Sequence, residues 1–249
     1  MVGRNIQMLD TVHIIIVFAL TAIGGFIQRV TGFGFGIFVM LFFPYIMTTH
    51  TSATAVSTLV SCIVSLFNIV IYRKNIPYKK IVPLILSALI TIPIAVRFSV
   101  IVSGMFFKTT LGIALIVLSI YFLFFNNRIR VKPSVKNGLI AGGTGGVLSG
   151  LFSTGGPPVV LYLINAFEDN AVYFASTQFY FGLTGVYSTI VRFFNGIITL
   201  EVVIFSVIGL VGSLFGNLIG KKVFNKLNPQ RLRQVIYLGM IISGVIMIV

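Results

Sequence analysis

The sequence predicts an all-α polytopic membrane protein. It is read as two inverted repeats, each a broken or re-entrant helix hairpin followed by three transmembrane helices. Three observations lead there. Hydrophobic residues make up 57% of the 249 residues and charged residues only 9%, with a mean hydropathy of +1.07, whereas a soluble domain carries about 25% charged residues. The second half echoes the first at a spacing of 121 residues: Gly24-Gly25 recurs as Gly145-Gly146, Gly34 as Gly155, Val39 as Val160, Ile69-Val70 as Ile190-Val191, Val82 as Val203 and Leu89 as Leu210. Finally, the strongly basic loops alternate between the halves.

The elements follow in chain order. The opening stretch to Leu20 has the look of a signal sequence, but no small-residue cleavage site follows, so it is expected to be retained. The apolar segments of the first half are Val12–Gln28, Gly34–Met47, Thr51–Tyr72, Ile81–Val96 and Phe106–Phe125. Those of the second are Gly138–Phe152, Pro157–Phe167, Ala171–Phe193, Val202–Gly220 and Leu232–Val249. A span needs about 20 residues, which the last three segments of each half meet or nearly meet. The second segment is short in both. The first two are read either as half-helices that dip in and out of the bilayer or as two short spans. The domain organisation is one membrane domain over 1–249, with repeat one at 1–125, a basic joint at 126–136 and repeat two at 137–249.

Either reading gives an odd number of crossings per repeat, so the repeats must be inverted. Loop charge agrees. Arg73, Lys74, Lys79 and Lys80 follow the third segment of repeat one, where the counterpart loop has only Arg192 and Glu201 at its edges. Lys221, Lys222, Lys226, Arg231 and Arg233 follow the fourth segment of repeat two, against Arg97 and Lys108 in repeat one; the joint carries Arg128, Arg130, Lys132 and Lys136. By the positive-inside rule these loops are cytoplasmic and both termini lie outside, in a multi-pass protein of the cell membrane. The net charge of +14, from 18 Lys+Arg against 4 Asp+Glu, is thereby a topology signal and a lipid contact rather than a nucleic-acid footprint.

Glycines break the apolar pattern at matched places: GGFIQRVTGFGFG over Gly24–Gly36 and GGVLSGLFSTGGPP over Gly145–Pro158. Backbone freed inside a membrane survives only when buried in protein or lining a cavity. At the start of the next helix its N–H groups and the positive dipole end favour an anion. Thr31 is expected to cap the helix beginning near Gly34, and Ser153 or Thr154 the one beginning at Pro157. Paired breaks in two repeats point to a substrate site near the midplane. The candidate substrate-binding residues are Gln28, Arg29, Thr31, Gly32, Phe33, Gly34, Ser153, Thr154, Gly155, Gly156, Thr177 and Gln178. Against this stands plain packing, which glycine-rich apolar helices also serve. Arg29 either holds an anionic oxygen or snorkels to the surface.

The two breaks, with their duplicated setting, resemble the sulfite exporter TauE/SafE family over essentially the whole chain. The residues that carry the likeness are Phe26–Gly36 and Leu148–Pro158. The resemblance implies transport of small sulfur-containing or organic anions, such as sulfite or sulfonates, across the cytoplasmic membrane. The family usually has a small residue where Arg29 stands, and often an arginine where Tyr173-Phe174 stand; Pro44 fits its usual proline.

Other classes fit less well. An enzyme would need a cluster from His13, His50, Cys62 and the four acids, and none forms. One cysteine and two histidines argue against a metal carrier. No catalytic residue, metal ligand or cofactor is expected. A passive anion channel and an ion-coupled importer share the same site with an exporter. The partners are a small anion and the lipid bilayer, and a homo-oligomer is compatible with the sequence. Glu168, Asp169, Glu201, His13 and His50 are the few groups available for proton coupling, and this scarcity favours efflux driven by the membrane potential.

Overall fold

The computed structural model describes residues 11–124, 132–223 and 229–248. Met1 to Asp10, Arg128, Arg130 and Lys226 therefore lie outside the described residues, as do the side chains of Arg231 and Arg233. Helices and their connecting turns make up everything described. They are α1 (Thr11–Thr31), α2 (Phe35–Val39), α3 (Phe43–Ile46), α4 (His50–Tyr72), α5 (Tyr78–Ile101), α6 (Gly104–Phe124), α7 (Val135–Phe152), α8 (Gly156–Ala166), α9 (Asn170–Phe194), α10 (Leu200–Val223) and α11 (Pro229–Ile248). Five of them, α1, α4, α5, α6 and α10, are long and apolar enough to cross a membrane.

Side-chain oxygens set several starts. Thr49 accepts from the Ser52 N–H before α4, Ser134 from Asn137 before α7, and Asp169 from Ala171 and Val172 before α9. Each satisfies donors that a first helical turn leaves free.

The second segment of the first half differs from expectation. It is two pieces, α2 and α3, with turns between them. Pro44 lies in the first turn of α3. It has no N–H to offer the Met40 carbonyl, and its ring crowds that carbonyl, so the helix cannot run through. The residue 121 positions on is Asn165, which has a backbone N–H and lies within an uninterrupted α8, its side-chain Nδ2 also donating to the Leu161 carbonyl.

Two helix pairs are held at glycine range. On α7, Gly142, Gly146 and Gly150 recur every fourth residue and face Leu84, Ala88 and Ala95 of α5. On α10, Gly212, Gly216 and Gly220 face Phe18, Ala22 and Arg29 of α1. A methyl at Gly142 would overlap the Leu84 carbonyl, and one at Gly216 the Ala22 carbonyl. Such small-residue faces let backbones approach where lipid supplies no hydrophobic drive. The α4–α9 pair runs between these two pairs, α10 also packing on α4 and α5 on α9; α6 packs on α11. More than half of the α4 span is buried, and the breaks meet against α4 and α9.

Candidate functional site

Break one begins where α1 ends at Thr31. Gly32 (φ 83°) and Gly34 (φ 94°) take left-handed backbone that a side chain would strain, and this turns the chain into α2. Break two begins with Ser153, left-handed at φ 57° and ψ 24°. The Ser153 and Thr154 N–H groups return to the Ser149 and Leu148 carbonyls at 3.0 and 3.3 Å, the first of them the bond of a left-handed (αL) close to α7.

The two breaks touch. Gly36 lies so close to the Ser153 carbonyl that a methyl would overlap it, and Gly156 faces the Phe33 ring. Between them is a cavity of about 60 Å³. Gln28, Phe33, Gly34 and Gly36 line it from break one, Ser153, Thr154, Gly155 and Gly156 from break two. α4 contributes Thr58, Ser61 and Cys62, and α9 contributes Thr184 and Ser188. All its lining side chains are uncharged. Three of them end in buried atoms with no hydrogen-bond partner: Gln28 Oε1, Thr154 Oγ1 and Ser188 Oγ, on residues no more than 2% exposed. A buried polar atom left unpaired costs about 1–3 kcal/mol, and three such atoms lie on residues that line this one cavity.

The remaining expected site residues are placed elsewhere. Arg29 donates from Nη2 to the Tyr72 hydroxyl at 3.0 Å and stacks over the Tyr72 and Phe174 rings, away from the cavity lining. Thr31 does not cap α2; it still belongs to the last turn of α1, and its one hydroxyl proton is shared between the Ile27 and Phe33 carbonyls at 2.9 and 2.6 Å. Gly34 is the residue at the α2 cap, and it has no side chain to offer. Neither Ser153 nor Thr154 caps α8. The cap position is Gly155, and the second and third residues after it are Pro157 and Pro158, which have no N–H for a cap to accept. Ser153 Oγ instead bonds Ser57 and Thr58 on α4 at 3.0 and 3.1 Å. Gln178 donates to the Gly32 carbonyl at 3.0 Å and accepts from Asn68, holding break one in shape. Thr177 donates to the Phe174 carbonyl of its own helix.

Sequence reading passed over the hydroxyls of α4 and α9. Thr54, Ser57, Thr58, Ser61 and Ser65 recur at helical spacing in an otherwise apolar span, as do Thr184 and Ser188. That polar stripe was the available signal. It also took Arg192 as a loop-edge charge. Arg192 is in fact fully buried in α9. Its guanidinium donates to Thr54 Oγ1 at 2.9 Å and to the Ser149 and Gly150 carbonyls at 3.2 and 3.0 Å, in the last turn of α7, where a cation suits the helix dipole.

A family model described as Sulfite exporter TauE/SafE matches residues 17–247, nearly the whole chain. The chain belongs to that family. TauE/SafE proteins are transporters, so family and apolar helices together make this a multi-pass membrane protein of a transport family. The matched span takes in both breaks and every cavity-lining residue of this TauE/SafE chain. No curated protein and no solved structure gives a match.

Proposed function

We propose that this protein is a secondary exporter of small anions such as sulfite or sulfonates, working by alternating access, with its substrate site in the cavity between the two glycine breaks. The observation that carries the proposal is the set of unpaired polar ends, Gln28 Oε1, Thr154 Oγ1 and Ser188 Oγ, around a small cavity without charged lining. The Thr154 and Ser188 hydroxyls supply donors to an oxyanion; Gln28 Nε2 rests on Ser65 Oγ at 3.3 Å, so the Gln28 amide becomes a donor to the anion by rotating its NH2 end into the cavity. Neutral donors hold an anion loosely enough to release it. Cavity size favours a compact anion over a bulky one.

The inverted arrangement draws support from helix direction. α1 ends with Arg29 beside Tyr72, the last residue of α4. α7 ends with Gly150 beside Arg192, which also bonds Thr54 near the start of α4. The two break-bearing helices therefore run in opposite senses along α4. Packing follows the same exchange: α1 lies on α10 as α7 lies on α5, and helix ends recur at the sequence spacing, Thr31 of α1 answering to Phe152 of α7. Ser61 and Cys62 of the cavity sit midway along α4, consistent with a site near the bilayer midplane. In this topology the Arg73–Lys80 loop and the joint between repeats face the cytoplasm.

The test is sulfite flux in proteoliposomes. Saturable flux, with unlabelled sulfite on the far side accelerating entry of label, is the expected result. Flux that never saturates and shows no counterflow is the channel's signature, and absence of flux for sulfite and alkylsulfonates alike ends the proposal.

A further inference from the structure

A second, larger cavity of about 480 Å³ opens at the surface where α4 and α6 begin and α5 and α9 end. Its lining includes His50 and Thr51 of α4, Lys108 of α6, and Asn195 just past α9. α4 lines both cavities, and α9 lines the central one and ends at the vestibule. Along α4, His50 lines the vestibule and Thr58 the central cavity, with Thr54 midway. Along α9, Ser188 lines the central cavity and Asn195 the vestibule, with Arg192 between. Residues three or four apart share a helix face, so each helix presents one stripe leading from cavity to vestibule. Arg192 and Thr54, hydrogen-bonded to each other, are the midpoints of the two stripes. A chain of rings closes the flank: His50 stacks on Phe107 at 4.5 Å, and Phe107 meets the tilted ring of Phe152 at 5.2 Å, next to Ser153.

Arg192 also has a hydrogen-bond donor to spare. It is fully buried, its partners are a hydroxyl and two carbonyls, and its Nε has none. The three described carboxylates serve elsewhere: Glu168 is exposed, Asp169 caps α9 and Glu201 accepts from Thr48. A buried cation bound only to neutral groups attracts an anion strongly.

We propose that Arg192 is the gating cation on the route between the central cavity and the His50–Lys108 vestibule. In the closed form it is stapled to the end of α7 and to Thr54, and it blocks the route. A permeating anion replaces the α7 carbonyls on its Nη2 and takes up Nε, and the next step delivers the anion to the vestibule beside Lys108. This rests on the transporter reading above, and it adds a residue and a direction of travel to it.

Two measurements test it. In proteoliposomes, Arg192→Lys keeps the charge, while Arg192→Gln keeps donors for the α7 carbonyls and loses the charge. Sulfite flux is expected to fall roughly tenfold or more in the glutamine variant and much less in the lysine variant, with unfolding temperatures close to the parent's. Equal flux in Arg192→Gln and parent, or flux losses in both variants that merely track lost stability, overturns the proposal. The second measurement starts with Arg192 intact and then replaces it. Thr54→Cys in a Cys62→Ser background is labelled with anionic sulfonatoethyl methanethiosulfonate and with its cationic trimethylammonium analogue, each rate normalised to a free small thiol. A strong preference for the anionic reagent, abolished on adding Arg192→Gln, is expected. No labelling, or none of that charge preference, overturns the gate, whether or not sulfite proves to be the transported anion.

Discussion

At the scale of single residues, the glycines of the breaks divide by what surrounds them. Gly155 has ordinary backbone (φ −69°), but a methyl there would overlap the Gly145 carbonyl and Ser149. Gly156 would meet only the rings of Phe33 and Phe181, at 3.1 and 3.6 Å. Gly155→Ala is therefore expected to lower stability by about 1–3 kcal/mol, as overpacking does. Gly156→Ala is expected to unfold near the parent's temperature and yet to reduce flux, because the added methyl projects at the lining. Thermal melts beside flux assays separate the two, and a Gly156→Ala protein with full flux would remove this glycine from the site. Gln28 and Arg29 make the second pair. Gln28→Leu removes a lining amide and is expected to weaken sulfite binding roughly tenfold, the worth of one hydrogen bond to a charged group. Arg29→Gln is expected to leave affinity near the parent's, since Tyr72 and Phe174 hold that guanidinium outside the lining. Isothermal titration reads both. Which neighbour of a break faces the cavity depends on the rotation of the last turn of α1, and no residue pattern in Gln28–Arg29 reveals that rotation.

At the scale of elements, packing by glycine-rich helices was legible as one of two readings, but which helices pair, and the glycine run of α10, were not read from the sequence. The Gly142, Gly146, Gly150 run and its α10 counterpart are both employed as close-contact faces. Gly216→Val forces a branched side chain into the Ala22 carbonyl and is expected to part α10 from α1, costing about 1–3 kcal/mol and lowering the yield of monodisperse protein. Gly143→Val, whose nearest neighbours lie 3.8 Å or more from the added atom, is the contrast and should purify normally. Size-exclusion profiles compare them. The caps were legible only in part. Hydroxyls beside a helix start were read as caps for α2 and α8, but Pro157-Pro158 leave no N–H to cap, and Thr31 belongs to the helix before. Arg192 was misread for a related reason. Charge near the end of an apolar segment usually means a loop, and only the long-range partners Thr54, Ser149 and Gly150 reveal a buried staple.

At the scale of the whole molecule, charge placement bears on the energy source. The central cavity is lined by neutral groups, and the described acids lie away from it: Glu168 exposed, Asp169 at the start of α9, Glu201 beside Thr48. A proton-coupled carrier commonly uses a carboxylate or an imidazole that meets the substrate or its gate, and neither lines this cavity. The membrane potential alone acts on a moving charge by about 2.3 kcal/mol per 100 mV, so a singly charged anion redistributes tenfold for roughly each 60 mV. Proteoliposomes clamped with potassium gradients and valinomycin read this directly. Sulfite is expected to leave an interior-negative compartment, with the steady-state ratio following the clamp, and a pH gradient imposed at fixed potential should leave that ratio unchanged once the pH dependence of sulfite's own charge is allowed for. Accumulation against the potential, driven by a pH gradient, would instead identify a coupled importer, and the search for its proton site would move to His50 in the vestibule, the one histidine that lines either cavity.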